Sequence, residues 1–187
     1  MRQTSAILLL VLALALAVPT SWAADPATVR QQIVNGQLKA ALQQVDAELA
    51  KRPDDPQFQF FRGVILGAEN RNDQAIIIFR NLTVRYPELP EPYNNLAVLY
   101  AREGRYDEAR QALEMAVRAN PDYATALENL GDVDALLAAQ AYRKAGRLAS
   151  GDAARTDAKV RAIDGMLKAG GALAGTVSLP APAASSP

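Results

Sequence analysis

Residues 90–123 read PEPYNNLAVLYAREGRYDEARQALEMAVRANPDY, and this stretch decides the fold. Tyr93, Leu96, Ala97 and Tyr100 stand at i, i+3, i+4 and i+7, an apolar stripe along one helical face. Gly104 breaks that helix. Beyond it Leu113, Ala116 and Val117 form the apolar face of a second helix, from Tyr106 to Ala119, and Pro121 stops the pattern. Two amphipathic helices joined by a glycine turn make a hairpin too small to bury its own apolar surface. It needs neighbours.

The neighbours are written into the chain at a spacing of 34 residues. Pro53, Pro87 and Pro121 repeat at that step, as do Ala41, Ala75 and Ala109. Gly63, Ala97 and Gly131 follow it too, and so do Val45, Phe79 and Leu113. A fixed period of this length marks helical pairs stacked so that each buries its apolar face against the next. Small residues at the repeated Gly/Ala positions let the two helices of a pair approach closely. The spacing predicts helices from Asp25-Pro26 to about Val34, Leu38 to Lys51, Pro56 to Glu69, Asp73 to Arg85, Glu91 to Glu103 and Tyr106 to Ala119. It therefore predicts an all-α solenoid of three to four helix–turn–helix units over 24–150: 24–55, 56–89, 90–123 and a degenerate 124–150.

The fourth unit departs from the pattern. About five residues that would form its turn are missing, and no Gly or Pro lies between Gly131 and Gly146. The stripe Leu127, Leu130, Val133, Leu137, Ala141, Ala145 and Leu148 keeps one phase, predicting a single helix from about Ala124 to Ala149. Residues 151–169 then form a C-terminal capping helix with Val160, Ile163, Met166 and Leu167 inward. The Gly-, Ala-, Ser- and Pro-rich tail 170–187 reads as disordered.

Arg2 and the apolar run Ala6–Val18, followed by Ser21-Trp22-Ala23, read as a secretory signal peptide over 1–23, cleaved after Ala23. That run is shorter than the roughly 20 apolar residues a membrane span needs. The expected location is the periplasm of a bacterial cell, with no integral span after cleavage. A chain tethered to the inner membrane by an uncleaved N-terminal helix is the alternative.

Composition narrows the function. The 187 residues contain no His and no Cys, which removes imidazole bases, thiol nucleophiles, disulfides and nearly all zinc chemistry. Lys plus Arg and Asp plus Glu balance at 20 each, and no basic patch interleaved with aromatics appears, so nucleic acid is not an expected partner. No Gly-rich phosphate loop, nucleophile elbow or metal-ligand cluster is present. Asp54-Asp55, after a helix stop and before Pro56, suits a turn or N-cap better than acid–base work. Asp134 interrupts an apolar stripe and needs a partner; Arg102 is the expected one. The reading is a non-enzyme without cofactor or metal.

The unit 90–123 resembles the tetratricopeptide repeat family, through Tyr93, Leu96, Ala97, Tyr100, Ala109, Ala116 and Pro121, with Leu113 in the usual Phe place. Unit 56–89 keeps Gly63, Ala75, Phe79 and Pro87 but has Gln59 for the aromatic and Arg62 for the Leu. The first unit keeps Ala41, Val45 and Pro53, and the fourth has Asp134 where a Tyr is usual. The resemblance implies a right-handed superhelix whose concave groove is lined by the first helix of each pair and binds a protein or extended peptide. It implies groove positions at Phe60 and Val64 in the second unit, Asn94, Val98 and Arg102 in the third, and Glu128 and Asp132 in the fourth. Asn95 and Asn129 hold a place where family members can grip a peptide backbone, an amide offering both donor and acceptor. Bonding to their own scaffold is the alternative. Phe60 and Val64 stand where a clamp for a terminal carboxylate would need Lys and Asn. A second functional reading is self-association into a homodimer through the terminal units.

Overall fold

The computed structural model describes residues 25–148, 151–170 and Leu179. Eight helices follow one another: α1 (Pro26–Val34), α2 (Leu38–Lys51), α3 (Pro56–Ala68), α4 (Asn72–Arg85), α5 (Pro90–Arg102), α6 (Tyr106–Ala119), α7 (Ala124–Gly146) and α8 (Ala153–Gly170). There is no strand among the described residues. The predicted signal segment 1–23 lies outside them, as does the tail apart from Gly170 and Leu179.

Three starts and three turns are built alike. Pro26, Pro56 and Pro90 open α1, α3 and α5, where a missing N–H costs nothing. Asp25 accepts from the amide of Ala27, and Asp55 from those of Gln57 and Phe58 at 3.0 and 3.2 Å, so Asp55 is an N-cap. Asp54 meets Arg85 at 2.7 Å. At the turn inside each pair the chain goes left-handed at Gly36 (φ 72°), Asn70 (φ 59°) and Gly104 (φ 73°), again 34 apart. The next residue's amide reaches back five places to Gln32, Leu66 or Tyr100, sealing the end of each first helix. The same step next lands on Ala138, whose Cβ disfavours that conformation. There α7 runs straight through.

Packing inside the pairs follows the small residues. A Cβ added at Gly63 would lie 2.8 Å from the ring of Phe79, so the glycine is the socket for that ring. Phe60 closes over the same ring edge-on, with centroids 5.6 Å apart. In the third pair Ala97, Ala109 and Leu113 are fully buried. Arg62, in place of the usual Leu, reaches back to Asp46 on α2 at 2.9 Å, an exposed ion pair worth at most about 1 kcal/mol.

The stack is curved. α1 touches α3, α3 touches α5 and α5 touches α7, making a continuous row of first helices. No Cα of α2 comes within 8 Å of α4, nor any of α4 within 8 Å of α6. First helices close together and second helices apart place the first helices on the inside of a bend. The protein is an α-solenoid with a concave wall.

The fourth unit corrects several expectations. Ala126, Val133 and Ala139 are the buried residues of α7, while Leu127 and Leu148 are exposed. Asp134 follows Val133 around the helix onto the outer side, exposed, and no ion pair joins it to Arg102. On α8 the buried positions Thr156, Val160 and Leu167 define a face from which Met166 points away; it is 53% exposed. Six residues from Val160 is 240° around a helix at 3.6 residues per turn. α8 packs on α7 alone and closes that end of the stack.

Candidate functional site

The concave wall places the expected groove residues in two groups. On α3 and α5, Phe60 (7%), Val64 (1%), Asn94 (0%), Asn95 (0%) and Val98 (4%) have almost no exposed surface. Arg102 is half-buried. On α7, Glu128 is exposed, and Asn129 and Asp132 are half-buried. The row was expected to be open along its length; it is covered over α3 and α5 and open over α7. Every residue of α5 from Pro92 to Ala101 is buried, so that helix has no solvent face along those three turns. Outward positions on the second helices, such as Arg80, Ile77, Val84 and Gln111, are exposed. What is covered is the inner side.

Polar struts hold neighbouring first helices in register. The Asn129 side-chain amide donates to the Asn94 side-chain oxygen at 2.8 Å, joining α7 to α5. The Arg102 guanidinium donates to the Gly67 carbonyl at 3.3 Å, joining α5 to the last turn of α3. That carbonyl sits at the negative end of its helix, a favourable place for a cation. Both bonds span 35 residues, so each joins a residue of one unit to the residue one place past its equivalent in the next. Sequence reading assigned Arg102 to Asp134 and missed its strut, because no pairwise pattern names a backbone carbonyl; for Asn129 it left a bond to the scaffold as one of two readings. Asn129 thus bonds its own scaffold in this structure.

The perturbed charges lie at helix ends. Arg105, at the turn between α5 and α6, sits between Glu108 and Glu103 and over the Tyr100 ring at 4.2 Å. Hydrogen bonds to the two carboxylates raise its pKa further, and the same contact lowers that of Glu108. Arg85 is raised by its hydrogen bond to Asp54. Among the described residues no group of three acidic, His or Cys residues could hold a metal ion, and no helix is long and apolar enough to cross a membrane.

Two sequence profiles, both described as tetratricopeptide repeat, match residues 29–90 and 66–130. A tetratricopeptide repeat domain-containing chloroplastic protein of Arabidopsis thaliana, PYG7, is 47% identical over 45 residues; the match covers 24% of this chain and 15% of that protein. Two solved structures share the fold. One is the Naa15/Naa10 complex bound to HypK-THB, with TM-score 0.54, 19% identity, and coverage of 77% of this chain and 19% of that one. The other is the type III secretion chaperone SycD of Yersinia enterocolitica in complex with a peptide of the translocator YopD. Its TM-score is 0.53 at 20% identity, covering 64% of this chain and 91% of that one. The period of 34, the left-handed turns, the inner row of first helices and the two profile matches agree: the chain is a tetratricopeptide repeat protein.

Proposed function

We propose that this chain is a non-catalytic adaptor that holds a protein segment along the inner wall of α3, α5 and α7. The observation that carries this reading is the curvature. A row of touching first helices with separated second helices presents a shaped surface that exists before any partner arrives. A similarly folded chaperone whose structure contains a peptide supports the same use of the fold. The apolar wall at Phe60, Val64 and Val98 grades into Glu128 and Asp132 on α7. That gradient suits an extended segment with an apolar anchor and positive charge to one side.

The place of action is the periplasm of the bacterial envelope, supported by Arg2, the apolar run Ala6–Val18 and the small residues Ser21 and Ala23. A mature chain starting at Ala24 by mass spectrometry agrees with this. Retention of 6–18 would replace it with a membrane-tethered adaptor.

Photo-crosslinkers at the wall positions Glu128 and Asp132 test the adaptor role in cells, with Arg80 and Gln111 on the outer helices as controls. Discrete capture from the wall and little from the outer face is expected. Equal capture from both faces would overturn groove binding, and capture of a second copy alone would replace it with self-assembly.

A further inference from the structure

We infer that the first helical pair, α1 and α2, is an electrostatically latched end of the stack that opens separately from the other pairs. The inference is independent of the adaptor reading. It starts from three positions of the 34-residue period. Where the second and third junctions between pairs carry Leu82 and Ala116, the first carries Glu48. Where they carry Leu89 and Tyr123 it has Asp55, and where they carry Leu96 and Leu130 it has Arg62. Two junctions are apolar at these places and one is charged.

The charges link α2 to α3. Glu48 is 2% exposed and meets Lys51 at 2.9 Å and Arg52 at 3.2 Å. Arg52 also meets Asp55, the N-cap of α3, at 2.9 Å and lies over the Phe58 ring at 5.3 Å. One turn further on, Asp46 of α2 meets Arg62 of α3 at 2.9 Å. Apolar burial behind these links is thin. Val29, Ala41 and Val45 are the buried apolar residues of α1 and α2, and Val34 is 67% exposed. A buried carboxylate adds little net stability once its desolvation is counted.

The joint also has a defined place to bend. Gln59 donates to the Pro53 carbonyl at 2.8 Å, and the Tyr86 hydroxyl donates to the Asp54 carbonyl at 3.1 Å. Pro53 and Asp54 therefore stay with α3 and α4, and the bend falls at Arg52, the residue that links Glu48 to Asp55. The strut from α5 to α3 is not repeated from α3 to α1, because one period before Arg102 stands Ala68, which has no side-chain donor. Opening withdraws α1 from the inner row and leaves α3, α5 and α7. The latch sets whether that row holds four first helices or three.

Salt distinguishes a charged joint from an apolar one. Exposed ion pairs weaken as salt screens them, whereas salt leaves apolar burial intact or strengthens it. Native-state hydrogen exchange of the full chain, resolved by helix, reads the opening at about 0.05 and about 0.5 M sodium chloride. Amides of α1 and α2 should exchange faster than those of α5 and α6 at both concentrations. The higher salt should speed α1 and α2 by about three- to tenfold and leave α5 and α6 unchanged. Glu48→Leu combined with Arg62→Leu gives the first junction the residues of the second, and should cut that response below about twofold. Exchange of α1 and α2 in step with α5 and α6, or a salt effect shared by all helices, would overturn the inference. So would a response that survives in the double variant. Should the double variant fail to fold, the comparison of salts in the unaltered chain decides alone.

Discussion

Gly63 and Gly131 occupy equivalent positions of two units but meet different surroundings, and replacing each by Ala separates packing strain from helix propensity. Both sit inside helices, α3 and α7, so both gain up to about 1 kcal/mol from the better helix former. At Gly131 a Cβ meets nothing within 4 Å. At Gly63 it lies 2.8 Å from two carbons of the Phe79 ring. That ring is fully buried and held by Phe60 at 5.6 Å, so it cannot simply swing aside. Overpacking of this kind costs about 1–3 kcal/mol. Gly131→Ala should therefore stabilise by up to about 1 kcal/mol, while Gly63→Ala should lie about 1–3 kcal/mol below it. In thermal unfolding that gap is roughly 2–12 °C for a chain of this size. The difference between the variants removes the shared propensity gain and isolates the contact. Equal melting of the two variants would refute the socket model of the pair, and with it the reason for a small residue at this step of the repeat.

Other consequences are smaller and independent. Asn70→Ala forces a Cβ-bearing residue without a local side-chain hydrogen bond into the left-handed turn and should cost about 1 kcal/mol, whereas Asn70→Gly should be close to neutral; urea midpoints compare them. Asn94→Ala removes the acceptor of the Asn129 strut at a fully buried site and should cost about 1–3 kcal/mol, read as a loss in urea midpoint with the slope unchanged. With no His or Cys, no side chain at its ordinary pKa titrates between pH 5 and 8, so the melting temperature should be flat across that range. Contact with Arg105 lowers the folded pKa of Glu108, so that contribution is present above about pH 4.5 and lost as pH falls through the lowered folded value. Glu108→Gln should soften that acid limb by removing the contribution at neutral pH, with stability well below the folded pKa unchanged.

Most of the scaffold was readable because its causes are local. A 3.6-residue stripe, a proline at the start of a helix and a glycine at its end act within one turn, so the limits of α2 and α6 coincide with the expectation. The unbroken α7 follows from missing turn chemistry, which is local too. Rotation of α7 and α8 about their own axes was less legible. The stripe through Leu127, Leu148 and Met166 is wide enough to admit several facings, and only contact with the neighbouring helix decides among them. At the wall, register located Phe60, Val64, Asn94 and Val98 on the first helices but said nothing of what lies above them. In the low-complexity C-terminal stretch, nothing in the pattern marked Leu179 as a residue that packs against the core.

The struts and the missing turn together explain why this stack can present one rigid wall. Successive units could rotate against each other if only apolar side chains met between them, since such contacts are non-directional. The Arg102–Gly67 and Asn129–Asn94 bonds are directional and recur at the same offset, so each fixes the angle between one first helix and the next. α7 then extends through the place where a turn would be. Its 23 residues, about 34 Å long, give α8 a surface on which to end the array. The degenerate unit thus does what a fourth regular hairpin would not: it gives the solenoid its cap.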